Sequence, residues 1–220
     1  MKSGQLLSYG KSVGTYFAAS LLPMLLMAAV NPLIALNMSP EDYAVYGYYN
    51  SFTALISPLI VFYMLHYYTK RYYEVTEEER LRLKAMLFKA LIFFSFAVSV
   101  LCLAALAGYI VLFRKDIRFP LFPYLAFMVF AIPLTGIFKL EQTEFRMARN
   151  AKGFFRITVA AGIITAAANL LFVVAVKWGA AGKLLAPLAA NLIVFIGTGL
   201  CSGSGRGWPN SAGRWLSVCL

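Results

Sequence analysis

Charge is scarce in this chain, and acidic charge is scarcest. Of its 220 residues only 13% are charged, with nine Asp and Glu against 20 Lys and Arg. A soluble globular domain carries about 25% charged and about 45–50% apolar residues. Here the apolar share is 61% and the mean hydropathy is +0.73. So little polarity cannot cover a globule in water, and lipid is left as the solvent of the surface.

Catalytic side chains are equally sparse. The single histidine, His66, can make neither a triad nor a metal site alone, and reads as an interfacial polar residue. The three cysteines, Cys102, Cys201 and Cys219, form no C-x-x-C pair and have no histidine at metal-ligand spacing. Cys102, among Val100, Leu101, Leu103 and Ala104, reads as a small buried thiol. No P-loop or dinucleotide fingerprint occurs. Neither an enzyme activity nor a cofactor or metal is therefore expected. The acids are Glu41, Asp42, Glu74, Glu77, Glu78, Glu79, Asp116, Glu141 and Glu144. All fall in loops or near helix ends, which counts against a proton relay at the bilayer midplane. The net charge of +11 is the signature of basic cytoplasmic loops rather than of a nucleic-acid partner.

Apolar stretches long enough to span about 30 Å of hydrocarbon, roughly 20 residues each, recur along the chain. The first, Thr15 to Leu36, exceeds a signal-peptide core and reads as a retained helix despite Lys2 and Lys11 before it. Ser39, Pro40 and Asp42 then give an N-cap, a first-turn proline and an acid three residues on. Helix two runs to about Tyr68. In the polar stretch from Thr69 to Lys89, Thr76 and Glu79 form a T-x-x-E capping box. This predicts a helix that starts in water at Thr76 and continues into helix three, Ala90 to Phe113. Helix four is expected over Leu121 to Phe138, a polar loop over Lys139 to Arg156, and helix five over Ile157 to Val176. A Gly-rich link, Lys177 to Lys183, leads to helix six, Leu184 to Leu200.

The expectation is an all-α membrane protein: one six-helix bundle over residues 1–200, then an irregular tail over 201–220. The run Cys201 to Asn210 has lost helical pattern and reads as a frameshifted or truncated end. With the N-terminus inside, the cytoplasmic segments hold fifteen of the 20 Lys and Arg. The outer loops hold Arg114, Lys115, Arg118, Lys177 and Lys183. That bias predicts an N-in, C-in topology.

Within the spans the polarity is amide and hydroxyl: Asn31, Asn50, Asn169 and Asn191, with Ser51, Thr53, Ser57, Thr135 and Thr165. Such groups face either other helices or a wet cavity. Pro23, Pro32, Pro58, Pro123 and Pro133 interrupt the spans, as in bundles that bend between states, though proline is common in membrane helices generally. Tyr43, Tyr46, Tyr48 and Tyr49 cluster at one end of helix two; Tyr63, Tyr67, Tyr68, Tyr72 and Tyr73 cluster at the other. An aromatic belt at both interfaces is one reading; sugar stacking is the other.

Three stretches together resemble a family. The link Leu36-Asn37-Met38-Ser39-Pro40-Glu41-Asp42-Tyr43-Ala44-Val45-Tyr46 into Asn50-Ser51 looks like an "L-S-x-x-D-Y-G-x-Y" entry to helix two, with Ala44 in place of glycine. Gln142 to Asn150 (QTEFRMARN) precedes a small-residue helix five. Gly179-Ala180-Ala181-Gly182, then Leu184-Leu185-Ala186-Pro187, looks like a "G-A-x-G" hairpin between helices five and six. Over residues 1–200 the order resembles the polysaccharide-repeat flippases of the multidrug/oligosaccharidyl-lipid/polysaccharide exporter superfamily. Members have about twice as many helices in two similar bundles, so the resemblance implies an N-terminal half and a second half-bundle as partner.

It also implies a bacterial inner-membrane transporter of lipid-pyrophosphate-linked oligosaccharide repeats, working by alternating access among membrane lipids. Lys70, Arg71, Lys139 and Arg146 are the candidates for first contact with the pyrophosphate, and Asn31, Asn50 and Asn169 for lining the cavity. The same cations also serve plain positive-inside topology. A drug or other lipid exporter of the superfamily is an alternative. So is an envelope polysaccharide polymerase or transferase, but the outer loops, all about seven residues, are too short for its expected site.

Overall fold

The computed structural model describes residues 3–113 and 124–202. Every element in it is helical: α1 (Ser3–Asn37), α2 (Pro40–Arg71), α3 (Glu77–Phe113), α4 (Tyr124–Met147), α5 (Ala151–Asn169) with a π-helical segment, Leu170–Ala175, and α6 (Gly179–Ser202). Four stretches are long and apolar enough to cross a membrane: Gly10–Asn37, Pro40–Arg71, Glu77–Tyr109 and Ala151–Ala175. Gly179–Val194 is a shorter apolar helix. Large hydrophobic side chains are left outside, with Phe17 67%, Leu36 83% and Phe93 80% exposed. Long apolar helices with such surfaces fit a multi-pass membrane protein. Arg114, Lys115, Asp116, Arg118, Pro123 and the tail beyond Ser202 lie outside the described residues.

The helices alternate in direction, so the bundle has two distinct ends. One gathers the α2–α3 and α4–α5 turns and most of the cations, and is called the basic end below. The α1–α2 and α5–α6 turns lie at the opposite end. α1 packs on α5, α5 on α6, and α3 on α4, while α2 packs on α3, α4 and α6. The α1–α5 seam is close because its residues are small. A Cβ placed on Gly162 would lie 2.6 Å from Cβ of Pro23, and Ala19 and Ala161 are buried in the same cluster. Small residues let backbones approach where lipid gives no hydrophobic push between helices.

Both capping signals work as the sequence suggests. The Ser39 hydroxyl accepts from the Asp42 N–H at 3.1 Å, and the Ser39 N–H donates back to Asp42 Oδ2 at 3.4 Å. The Thr76 N–H donates to Glu79 Oε2 at 3.0 Å, and the Glu79 N–H to Thr76 Oγ1 at 3.4 Å. α3 then runs unbroken from Glu77 to Phe113. At about 1.5 Å per residue, its 37 residues make a rod far longer than the hydrocarbon is thick.

The stretch Lys139 to Arg156, expected as a loop, is mostly helix. α4 continues to Met147, and α5 already begins at Ala151. The polar residues here sit on a helix whose other face is buried, with Leu140 1% and Phe145 5% exposed. The true turn is three residues. Arg149 takes φ 54°, the Arg149 N–H donates to the Arg146 carbonyl, and the Asn150 N–H to the Phe145 carbonyl. This is a Schellman closure with arginine where glycine is usual. The Asn150 side chain then caps α5 by accepting from the Gly153 N–H at 2.9 Å. α6 likewise starts earlier than expected, at Gly179 rather than Leu184.

That early start has a cause. Asp42 Oδ1 accepts from the Ala180 N–H at 3.2 Å, so the carboxylate that caps α2 also caps α6. Gly179 has φ +53°, and a Cβ there would collide with the Asp42 carboxylate. Gly179→Ala should therefore lower the unfolding temperature in detergent. Backbone strain alone costs about 1–2 kcal/mol, and the Asp42 contact is displaced as well. Unchanged melting would show that this clip contributes nothing.

Candidate functional site

A half-open surface cleft of about 480 Å³ lies along the last turns of α2, lined by that helix and its following turn alone: Tyr63, His66, Tyr67, Lys70, Arg71 and Glu74. Helical geometry puts these side chains together. At about 100° per residue, positions 63, 67, 70 and 71 share one face of α2, with His66 at its edge, and Glu74 joins them from the turn that follows. The cleft holds two cations against one carboxylate. Arg71 pairs with Glu74 at 3.2 Å, but each side chain is 51% exposed. An exposed pair of this kind is worth about 0–1 kcal/mol, so little holds Arg71 to Glu74. Aromatic walls beside two cations suit a ligand with both ring faces and concentrated negative charge.

The other predicted site residues are dispersed. Lys139 and Arg146 are exposed on α4 and do not line this cleft. Arg146 lies over the Phe154 ring, 5.6 Å from its centroid, and Phe154 packs edge-on against Tyr16 at 5.2 Å. The Tyr16 hydroxyl is buried without a hydrogen-bond partner among the described residues. Asn31 and Asn50 are exposed on α1 and α2. Asn169 is buried, and its amide nitrogen donates to the Thr165 carbonyl of its own helix at 2.8 Å. Ser51, Thr53 and Thr165 also bond within their own helices, to Gly47, Tyr49 and Ala161. Among the described residues, of these span amides and hydroxyls Asn191 alone is seen to reach another helix, at Thr135 Oγ1, 3.4 Å away. Among the described residues no cluster of three or more His, Cys, Asp or Glu could hold a metal ion.

One charged group escaped the sequence reading. Lys84, counted there only as a topology cation, is 2% exposed. Its Nζ lies 2.9 Å from Glu141 Oε1 and also pairs with Glu144. A lysine this deep survives only when paired. The signal for it is spacing. Leu87, Leu91, Ser95 and Ser99 form the buried stripe of α3, and carrying that stripe one turn back lands on Lys84. Glu141 and Glu144 look like loop acids only if α4 stops at Phe138. Beside this triad Tyr68 and Tyr72 fill the space between Leu87 and Leu140, and Arg80 lies over the Tyr72 ring at 4.1 Å.

No known protein family, curated protein or solved structure matches this chain. Its function has to be argued from the cleft and the charges around it.

Breaking the triad tests its structural part. Removing one partner of a buried pair costs about 3–5 kcal/mol. Glu141 and Glu144 keep 23% and 16% exposure, so Lys84→Met should cost about 3 kcal/mol, at the low end of that range. The neutral triple variant with Glu141→Gln and Glu144→Gln should regain most of it. A Lys84→Met protein that melts like the wild type would show that the triad holds nothing together.

Proposed function

We propose that this chain is one bundle of a bacterial inner-membrane transporter that moves lipid-pyrophosphate-linked oligosaccharides, with its basic end in the cytoplasm. The cleft carries the reading: Lys70 and Arg71 share one half-open surface site with Tyr63 and Tyr67. A pyrophosphate concentrates negative charge, and the guanidinium of Arg71 can meet it with paired hydrogen bonds that lysine cannot match. The lipid tail stays in the bilayer beside α2 while the head enters the cleft. The sequence motifs described above support the same class, and the second half-bundle completes the translocation path.

The topology that goes with this is six spans, N-in and C-in. α4 and α6 complete the six, each pairing with a longer apolar neighbour. A cysteine introduced at Lys177, at the end opposite the basic one, should react with an impermeant thiol reagent in intact cells. One introduced at Arg149 should react only after lysis. The reverse pattern would invert the orientation.

In cells that depend on the full-length protein, Lys70→Ala/Arg71→Ala should lower surface polysaccharide several-fold at unchanged protein level. Lys139→Ala and Arg146→Ala, outside the cleft, should lower it less. Full complementation by the Lys70→Ala/Arg71→Ala protein would end the case for capture in this cleft. Unchanged polysaccharide when the protein itself is deleted would end the transport reading.

A further inference from the structure

Five tyrosines cluster near the basic end of α2, and the fold separates them. Tyr68 and Tyr72 are 0% and 6% exposed, packed with Leu87 and Leu140. Tyr73 gives its hydroxyl to the Met147 carbonyl at 2.9 Å, tying the α2–α3 turn to the end of α4. These three are structural. Tyr63 and Tyr67 are 77% and 39% exposed, and both line the cleft with Lys70 and Arg71.

Their order along the helix is the informative point. From the cations, Tyr67 lies about 5 Å up the axis and Tyr63 about 11 Å. The first separation is about that between a phosphate and the ring of the sugar attached to it. The second is about one sugar residue further. Both tyrosines fall on the same side of α2 as Lys70, Tyr63 about 20° and Tyr67 about 60° from its azimuth.

We infer that Tyr67 is a stacking platform for the sugar joined to the phosphate held by Lys70 and Arg71, and that Tyr63 serves the next sugar. The cleft thus reads the reducing end of a glycan as well as its pyrophosphate. A tyrosine ring suits this because its face packs on the C–H face of a pyranose while its hydroxyl stays wet. This rests on the proposed capture of a lipid-linked sugar pyrophosphate, and it adds a preference for the glycosylated form. A tyrosine that merely anchors α2 at an interface would show no such preference.

The experiment uses the full chain in nanodiscs of zwitterionic lipid and two probes. One is a short-chain polyprenyl pyrophosphate; the other is the same lipid carrying a single N-acetylhexosamine on the pyrophosphate. The glycosylated probe should bind several-fold more tightly to the wild type. Tyr67→Ala should erase that difference, bringing the ratio of the two affinities to about one. Tyr67→Phe should retain the preference, since the ring face remains, and Tyr68→Phe should not alter it. Equal binding of the two probes to the wild type, or an undiminished preference in Tyr67→Ala, overturns the stacking assignment and leaves pyrophosphate capture standing. Failure of both probes to bind, or equal binding by Lys70→Ala/Arg71→Ala, removes the capture reading and this inference with it.

Discussion

Helices in hydrocarbon gain little by hiding leucines from one another, because lipid tails are as apolar as leucine. A bundle with this composition must therefore be fixed by close packing and by the few polar contacts it can fully satisfy. Here those contacts sit near the two ends. At one, Asp42 caps α2 through Ser39 and α6 through Ala180. At the other, Lys84 of α3 is shared by Glu141 and Glu144 of α4. Each contact joins helices that are not neighbours through a short turn. α2 is separated in sequence from α6 by three helices, and α3 is joined to α4 only through the long link 114–123. The polar contacts thus supply the connections that chain continuity does not.

α1 is attached by shape instead. Pro23 lies against Gly162 of α5, closer than any side chain on α5 would allow. A proline here is a packing surface as much as a bend, since α1 stays helical on both sides of it. The π-helical segment at the end of α5 serves a related purpose. It turns the chain so that the Trp178 N–H reaches the Phe172 carbonyl at 2.9 Å and the two rings stack at 5.6 Å. Gly182 then fits against Phe172, where a Cβ would lie 2.9 Å from the Phe172 Cβ. The turn from α5 to α6 is therefore determined by packing on both sides, and the clip through Asp42 meets a backbone already aimed at it.

Much of this was legible in the sequence. Capping is local, so Ser39–Asp42 and Thr76–Glu79 could be read directly, and with Thr76 came the continuous α3. Two stretches used for the family resemblance, Ser39 to Tyr46 and Gly179 to Pro187, prove to touch. Asp42 contacts Ala180, and Lys183 lies over the rings of Tyr43 and Tyr46 at 4.9 and 4.8 Å. Their joint occurrence thus has a physical reason in this fold. What the sequence hid is tertiary. KLEQTEF reads as a loop because its polar side looks solvated; only the position of Lys84 shows that this side faces a neighbour. The candidate site was half legible. Lys70 and Arg71 share a cleft, whereas Lys139 and Arg146, equally basic and at the same end, do not join it. Charge counting cannot separate them, because it knows nothing of helix azimuth.

That separation decides how the basic end should be understood. A topology signal needs only a number of Lys and Arg near the turns, and is indifferent to where each side chain points. The cations here are not equivalent. Lys84 is consumed inside the bundle, Arg80 lies on the Tyr72 ring and donates to the Tyr72 carbonyl at 3.1 Å, and Arg146 lies over Phe154. Arg71 has a partner, Glu74, but a weak and exposed one beside Lys70 in a half-open surface site. Cations spent in the core stabilise the bundle and have nothing left for a ligand. Lys70 and Arg71 sit beside exposed ring faces, and Arg71 alone is paired, with the exposed Glu74. A positive-inside bias would account for a basic end, but not for two of its cations sharing one cleft with two exposed tyrosines.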